Sequence, residues 1–244
     1  MFSQILLIGG SDSSGLAGIQ ADKSICEHYA VKGHVVTTSV TIQGANHFYN
    51  RFDQDSNFIT DSVLNILENN QIDFVKIGML ANLQITQAIF NIFKNRQIKL
   101  ILDPVFRSTS GGELLDVPAI DFLKTSLLPM CYVITPNTNE AELLTGKKVA
   151  DLDGMVESAE AISRLGAANI IVKGGHLDNL EYATDVLYEE GGRVFMERAR
   201  RVNNNVRGSG CRFAASIACN LALQNSLKRS FVISKKLVTS LYNK

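Results

Sequence analysis

Residues 208–211 read Gly-Ser-Gly-Cys and run directly into Arg-Phe-Ala-Ala-Ser-Ile-Ala-Cys. A glycine turn that opens a helix of small residues leaves first-turn N–H groups unpaired at the positive end of the macrodipole. That combination is an anion site, suited to phosphate or to charge developing on one. Cys211 falls in the first turn, where a thiol pKa is expected to be lowered. An anion cradle formed by Gly208, Ser209 and Gly210 beside a reactive side chain is what phosphoryl transfer requires. The plainer alternative is a helix start with a buried cysteine.

Further groups with chemical potential fall where short apolar runs stop. Residues 11–22, Ser-Asp-Ser-Ser-Gly-Leu-Ala-Gly-Ile-Gln-Ala-Asp, follow the first such run. Their glycines at 10, 15 and 18 are wrongly spaced for a dinucleotide fingerprint, and no Walker A lysine motif occurs. Asp103-Pro104-Val105 places a carboxylate at a run's end. Asn137 and Glu140 stand three apart at a helix entrance, which fits a capping box. The same pair also suits water-mediated Mg²⁺ binding, since Mg²⁺ keeps several waters and uses few carboxylates. Lys173 ends another run, where a lysine can neutralise a transferred phosphate.

The elements that position these groups follow from periodicity. Strands are predicted at residues 5–8, 34–42, 74–77, 100–102, 132–135 and 170–172. A hairpin spanning 186–188 and 193–196 is predicted around Gly191-Gly192. Helices are predicted at residues 19–29, 58–67, 85–93, 119–127, 139–144 and 155–165, with two more closing the chain. Gly146 and Gly166 are predicted to close the helices before them. Alternating β and α elements with near-continuous apolar strands imply a parallel sheet covered by helices on both faces. Ligands gather at the carboxyl ends of strands in such sheets. Gly9 to Asp12, Gly78-Met79, Asp103-Pro104, residues 135–137 and residues 173–176 all fall there.

At 244 residues and 45% hydrophobic content, one domain spanning 1–244 is expected. Twenty-four basic residues balance 24 acidic ones, and no basic block marks a nucleic-acid partner. The cluster Arg198-Ala199-Arg200-Arg201 reads as a solvated strand edge. Cys26, Cys131, Cys211 and Cys219 fit no zinc spacing and no disulfide framework, so reduced thiols in the cytoplasm are the simplest account. The first residues read as a strand rather than a signal peptide, and no apolar run approaches membrane-spanning length.

Six segments in fixed order resemble the hydroxymethylpyrimidine/phosphomethylpyrimidine kinases of thiamine biosynthesis, within the ribokinase superfamily. They are Gly-Ser-Asp-Ser-Ser-Gly-Leu-Ala-Gly-Ile-Gln-Ala-Asp at 10–22, Lys-Ile-Gly-Met-Leu at 76–80, and Asp-Pro-Val at 103–105. The others are Thr-Pro-Asn-Thr-Asn-Glu-Ala-Glu-Leu-Leu at 135–144, Val-Lys-Gly-Gly-His-Leu at 172–177, and Gly-Ser-Gly-Cys at 208–211. The resemblance implies a three-layer α/β/α fold with a mostly parallel sheet. It implies ATP- and Mg²⁺-dependent phosphorylation of 4-amino-5-hydroxymethyl-2-methylpyrimidine, then of its monophosphate, by a homodimer.

By position, Gln43 would read the pyrimidine edge, since an amide offers both a donor and an acceptor. Asp22, Ala17, Met79 and Val105 would line the substrate pocket. Asn137 and Lys173 would contact nucleotide phosphates, and Glu140 and Asp103 would serve Mg²⁺. Cys211 stands where sugar kinases of the superfamily carry an aspartate base.

The chain departs from the family pattern at several points. Ser209 replaces Thr, Arg207 replaces His, and Arg212 replaces Thr. Ser13 replaces Pro, Leu16 replaces Gly, and Gly44 replaces Asn. The two arginines are expected to favour the Cys211 thiolate and bind phosphate, with Arg207 at the nucleotide. Family members usually continue into a Gly/Pro-rich tail beyond the position of Lys244. A pyridoxal or pyridoxine kinase of the same fold, and a non-catalytic ligand-binding homologue, remain the alternatives.

Overall fold

A computed structural model describes residues 3–44, 47–108, 111–175, 177, 181–201 and 206–241. His176, part of one family-like segment, lies outside the described residues.

The apolar runs become the middle of one nine-stranded sheet. Strands β1 (Gln4–Asp12), β2 (Lys32–Gln43), β4 (Phe74–Ile77), β5 (Lys99–Leu102), β6 (Cys131–Ile134) and β7 (Asn169–Lys173) run parallel. Strand β3 (Phe48–Asp53) lies antiparallel on β2, and β8 (Tyr182–Glu189) and β9 (Arg193–Arg200) form the antiparallel hairpin at the other edge. The order is β3-β2-β1-β4-β5-β6-β7-β8-β9. The expected parallel sheet is thus correct for the centre and gains antiparallel strands at both edges.

Side chains alternate across each strand, so β1 feeds two cores. Leu6 and Ile8 join Ile59, Ile85, Ala119, Ala141 and Met155 from α2 (Ser56–Asn69), α3 (Leu83–Phe93), α4 (Val117–Phe122), α5 (Thr138–Thr145) and α6 (Leu152–Arg164). Ile5 and Leu7 join Ile25, Ala215, Ile217 and Phe231 from α1 (Gly18–His28), α7 (Ser209–Ala222) and α8 (Leu227–Leu241). This is the three-layer architecture.

Local chemistry sets the ends. Gly146 sits left-handed at φ 71° and closes α5. Gly166 at φ 110° follows α6. The helix expected at 119–127 instead leaves α-geometry after Phe122, with a π turn at Leu123–Leu127 and a 3₁₀ turn at Leu128–Met130. Pro129 lacks the N–H that Thr125 would need to continue the α-helix. Strand β3 had no expectation: Tyr49 and Phe52 are exposed, so Phe48–Asp53 carries no apolar alternation.

Candidate active site

A cavity of about 520 Å³ opens across the carboxyl ends of the parallel strands. Gly9, Gly10 and Asp12 line it from β1 and Lys173 from β7, while Gly78 and Met79, Asp103 and Val105, and Asn137 line it from the segments just after β4, β5 and β6. Residues 208–211 close it from the start of α7, while Ala17, Asp22 and Gln43 complete the wall. All the site residues expected from sequence therefore meet in one place.

The anion turn is built as its residues dictate. Gly208 holds φ 75°, a left-handed conformation that a side chain disfavours, and a Cβ there would strike the Leu16 carbonyl. No side chain caps α7; the Ser209 N–H donates to the Val206 carbonyl at 3.3 Å, which leaves the Gly210 and Cys211 N–H groups as the first-turn donors for a ligand. Gly210 lets the ion pair behind it approach: a Cβ there would lie 3.2 Å from Lys173 Nζ and 3.7 Å from Asp103 Oδ2.

Two buried ion pairs form the floor. Lys173 Nζ donates to Asp103 Oδ1 at 2.8 Å, and Thr135 Oγ1 donates to the same oxygen at 3.2 Å. Lys76 Nζ donates to Asp22 Oδ2 at 2.7 Å. Asp22 Oδ1 has no hydrogen-bond partner among the described residues. Burial pushes the Asp22 carboxyl up to about 6, against the pull of Lys76. The Lys76 ammonium is held charged: burial opposes it, but Asp22, Cys211 and Asp103 outweigh that cost. Lys173 is likewise raised despite burial, by Asp103 and Glu140. Lys76 was not foreseen as a site residue. The signal was a lone lysine inside the run Phe-Val-Lys-Ile, which becomes a strand buried at every position.

Asn137 and Glu140 do form the capping box. Asn137 N–H donates to Glu140 Oε2 at 2.7 Å, and Glu140 N–H donates to Asn137 Oδ1 at 2.9 Å. Burial pushes the Glu140 carboxyl up to about 7, and Asp103 adds to this while Lys173 opposes it. Among the described residues, no three His, Cys, Asp or Glu side chains gather as a metal cage.

Three expectations need correction. Cys211 is not an acidic thiol: burial pushes it up to about 11, which outweighs Lys76 and the Gly18 N–H beside it. Arg212, expected to favour the Cys211 thiolate and bind phosphate, is instead turned to backbone: its Nη1 donates to the Leu16 and Arg207 carbonyls at 2.9 Å each. Arg207 lines the cavity with its guanidinium already engaged by protein acceptors, donating to Gln43 Oε1 and the Gly44 carbonyl at 2.6 Å each and lying 3.2 Å from Asp12 Oδ2. Gln43 Nε2 in turn donates to Thr41 Oγ1 at 2.7 Å, so its amide is already oriented.

Residues 12–244 match the family described as phosphomethylpyrimidine kinase. A hydroxymethylpyrimidine/phosphomethylpyrimidine kinase of Aquifex aeolicus is 35% identical over 237 residues, covering 96% of this chain and 92% of that protein. A crystal structure of the phosphomethylpyrimidine kinase of Clostridium difficile 630 superposes with a TM-score of 0.85 at 33% identity, covering 98% of each chain. The ADP complex of Bacillus subtilis pyridoxal kinase superposes with a TM-score of 0.88 at 31% identity, covering 97% of this chain and 90% of that one.

Proposed function

The chain belongs to the phosphomethylpyrimidine kinase family, and on that premise we propose that it transfers a phosphoryl group from ATP to the hydroxymethyl group of 4-amino-5-hydroxymethyl-2-methylpyrimidine, then to the resulting monophosphate. The observation that carries this reading is the uncapped start of α7 set against the Lys173–Asp103 pair, facing a cavity with Met79 and Val105 in its wall.

ATP would supply the phosphoryl group, and Mg²⁺ bound with it would shield its charge. The donor chemistry suits that ion: Glu140 and Asp103 are few carboxylates for a cation that retains water and phosphate ligands. Lys173 lies between them electrostatically, so it and the cation would share the task of balancing phosphate charge. The amides of residues 208–211 stabilise charge where it develops, while Asn137 and Lys173 hold the donor's phosphates. Burial pushes the Cys211 thiol up to about 11, so it would keep its proton at neutral pH, and the reading assigns it no role as a base. Phosphoryl transfer depends mainly on positioning and electrostatics, so this is no obstacle. Asp22, Ala17 and Gln43 form the substrate side.

Val40, Ile42, Tyr49 and Phe52 are exposed on the paired strands β2 and β3, which supports a homodimer through that apolar face. Free thiols at Cys26, Cys131 and Cys219 support a reducing, cytoplasmic setting. No helix among the described residues is long and apolar enough to cross a membrane. The likeness to a pyridoxal kinase keeps pyridoxal as the second candidate alcohol.

The test is product analysis after incubation with Mg-ATP and the pyrimidine alcohol, with pyridoxal and ribose in parallel. The reading expects a monophosphate followed by a diphosphate of the pyrimidine. Phosphorylation of pyridoxal alone would move the assignment to the vitamin B6 kinases, and no product from any alcohol would reject kinase activity.

A further inference from the structure

Arg207 draws three segments together at the substrate end of the cavity. Its side chain is 12% exposed. One nitrogen donates to the Gly44 carbonyl, and another donates to Gln43 Oε1 and faces Asp12 Oδ2. Those acceptors belong to the ends of β2 and β1, whereas Arg207 itself precedes the anion turn. Arg212, one turn into α7, clasps the Arg207 carbonyl and the Leu16 carbonyl of the first loop. Ser13 Oγ completes the ring by accepting from Gln43 N–H at 3.2 Å.

A guanidinium carries five donors and no acceptor. Facing it, the Gln43 side chain can present only its carbonyl oxygen, and its NH₂ group is turned toward Thr41. Arg207 therefore holds the Gln43 amide with its oxygen toward the guanidinium. Lysine could supply the charge but not the planar fork that spans two oxygens at once.

We propose that Arg207 is a positioning residue for the ring-alcohol substrate: it orients the Gln43 amide and ties the end of β2 to the anion turn, so that binding of the alcohol and assembly of the transfer site are coupled. The inference deepens the kinase reading above and rests on it for the identity of the alcohol. It assigns Arg207 to the acceptor and not to the nucleotide.

The experiment compares wild type, Arg207→Ala and Arg207→Lys by steady-state kinetics and by hydrogen exchange of the intact chain. Losing charge-assisted bonds of this kind should raise the KM for the pyrimidine alcohol by about tenfold or more. The KM for ATP should stay within about twofold, and lysine should rescue only part of the loss. Exchange at residues 40–44 and 206–212 should quicken in Arg207→Ala, with α3 and α6 unchanged. An equal or larger rise in the KM for ATP, or unchanged exchange at 40–44, would overturn the inference. Should the alanine variant fail to fold, the lysine variant carries the same two readouts. Exchange is read without substrate, so a wild type inactive on the pyrimidine would sink the proposed activity while leaving the positioning claim to its own result.

Discussion

On the cavity floor, Lys76 and Asp22 are 1% and 0% exposed and meet one to one at 2.7 Å. At the rim, Arg207 spreads a partly exposed guanidinium over a carboxylate, a side-chain amide and a backbone carbonyl. The floor thus holds charge where water cannot screen it, and at Lys76–Asp22 a single hydrogen bond joins the two ions. The rim shares its cation among several acceptors, two of them neutral. Disturbing the floor should therefore cost folding and transfer, while disturbing the rim should cost recognition of the acceptor.

The largest effect is expected at Lys76. Lys76→Met leaves the Asp22 carboxylate buried without its cation, a loss of about 3–5 kcal/mol at pH 8. The sign with pH follows from Asp22, whose carboxyl burial already raises to about 6. Removing the ammonium raises it further, so the variant should regain stability as pH falls and the carboxyl takes a proton. Urea unfolding at pH 8 and pH 5 measures this; an equal loss at both values would mean that Asp22 is not the stranded charge.

Lys173→Met comes next. Its ammonium lies against Gly210 of the anion turn, so kcat/KM should fall by about 10²–10³-fold, as when a preorganised electrostatic group is removed. The unfolding midpoint should move less than for Lys76→Met, because Lys173 retains 14% exposure. A variant that turns over normally would remove Lys173 from the transfer site.

These two lysines also mark the boundary of what the amino-acid order could reveal. Lys173 ends its strand beside glycines, where a charge stands out as an unusual feature at a ligand-bearing end. Lys76 sits one residue inside its strand, and only the fold shows that Asp22, 54 positions earlier, lies beside it. The parallel strands were legible because burial on both faces demands continuous apolar runs. Strand β3 was not, since its pairing with β2 and not its own pattern makes it a strand. The anion turn was legible from glycine spacing, but the state of Cys211 was not. Helix position argued for an acidic thiol, and burial, a property of the packed chain, decided otherwise. Arg207 was read by its charge alone, although its acceptors lie 163 and 164 residues away at Gly44 and Gln43.

Smaller effects are expected at Glu140, proposed to serve Mg²⁺, and at the thiol. Glu140→Gln keeps an acceptor for the Asn137 N–H, so α5 should remain capped. The Mg²⁺ concentration giving half-maximal rate should rise by about tenfold, the scale at which supporting groups tune a metal. An unchanged Mg²⁺ dependence would take Glu140 out of the metal's surroundings. Cys211→Ala should lower kcat by less than about tenfold, below the range usual for loss of a general base. Its rate profile between pH 6 and 9 should match that of wild type, because a thiol at about 11 does not titrate there. Loss of a basic limb in that range would restore the cysteine as proton acceptor.

The most direct test of the account is a competition: Mg-ATP is limiting, the pyrimidine alcohol and pyridoxal are present together, and the phosphorylated products are quantified. The account predicts that the pyrimidine phosphate dominates, with kcat/KM favouring the pyrimidine. Predominant pyridoxal phosphate would contradict it and assign the same cradle to a different alcohol.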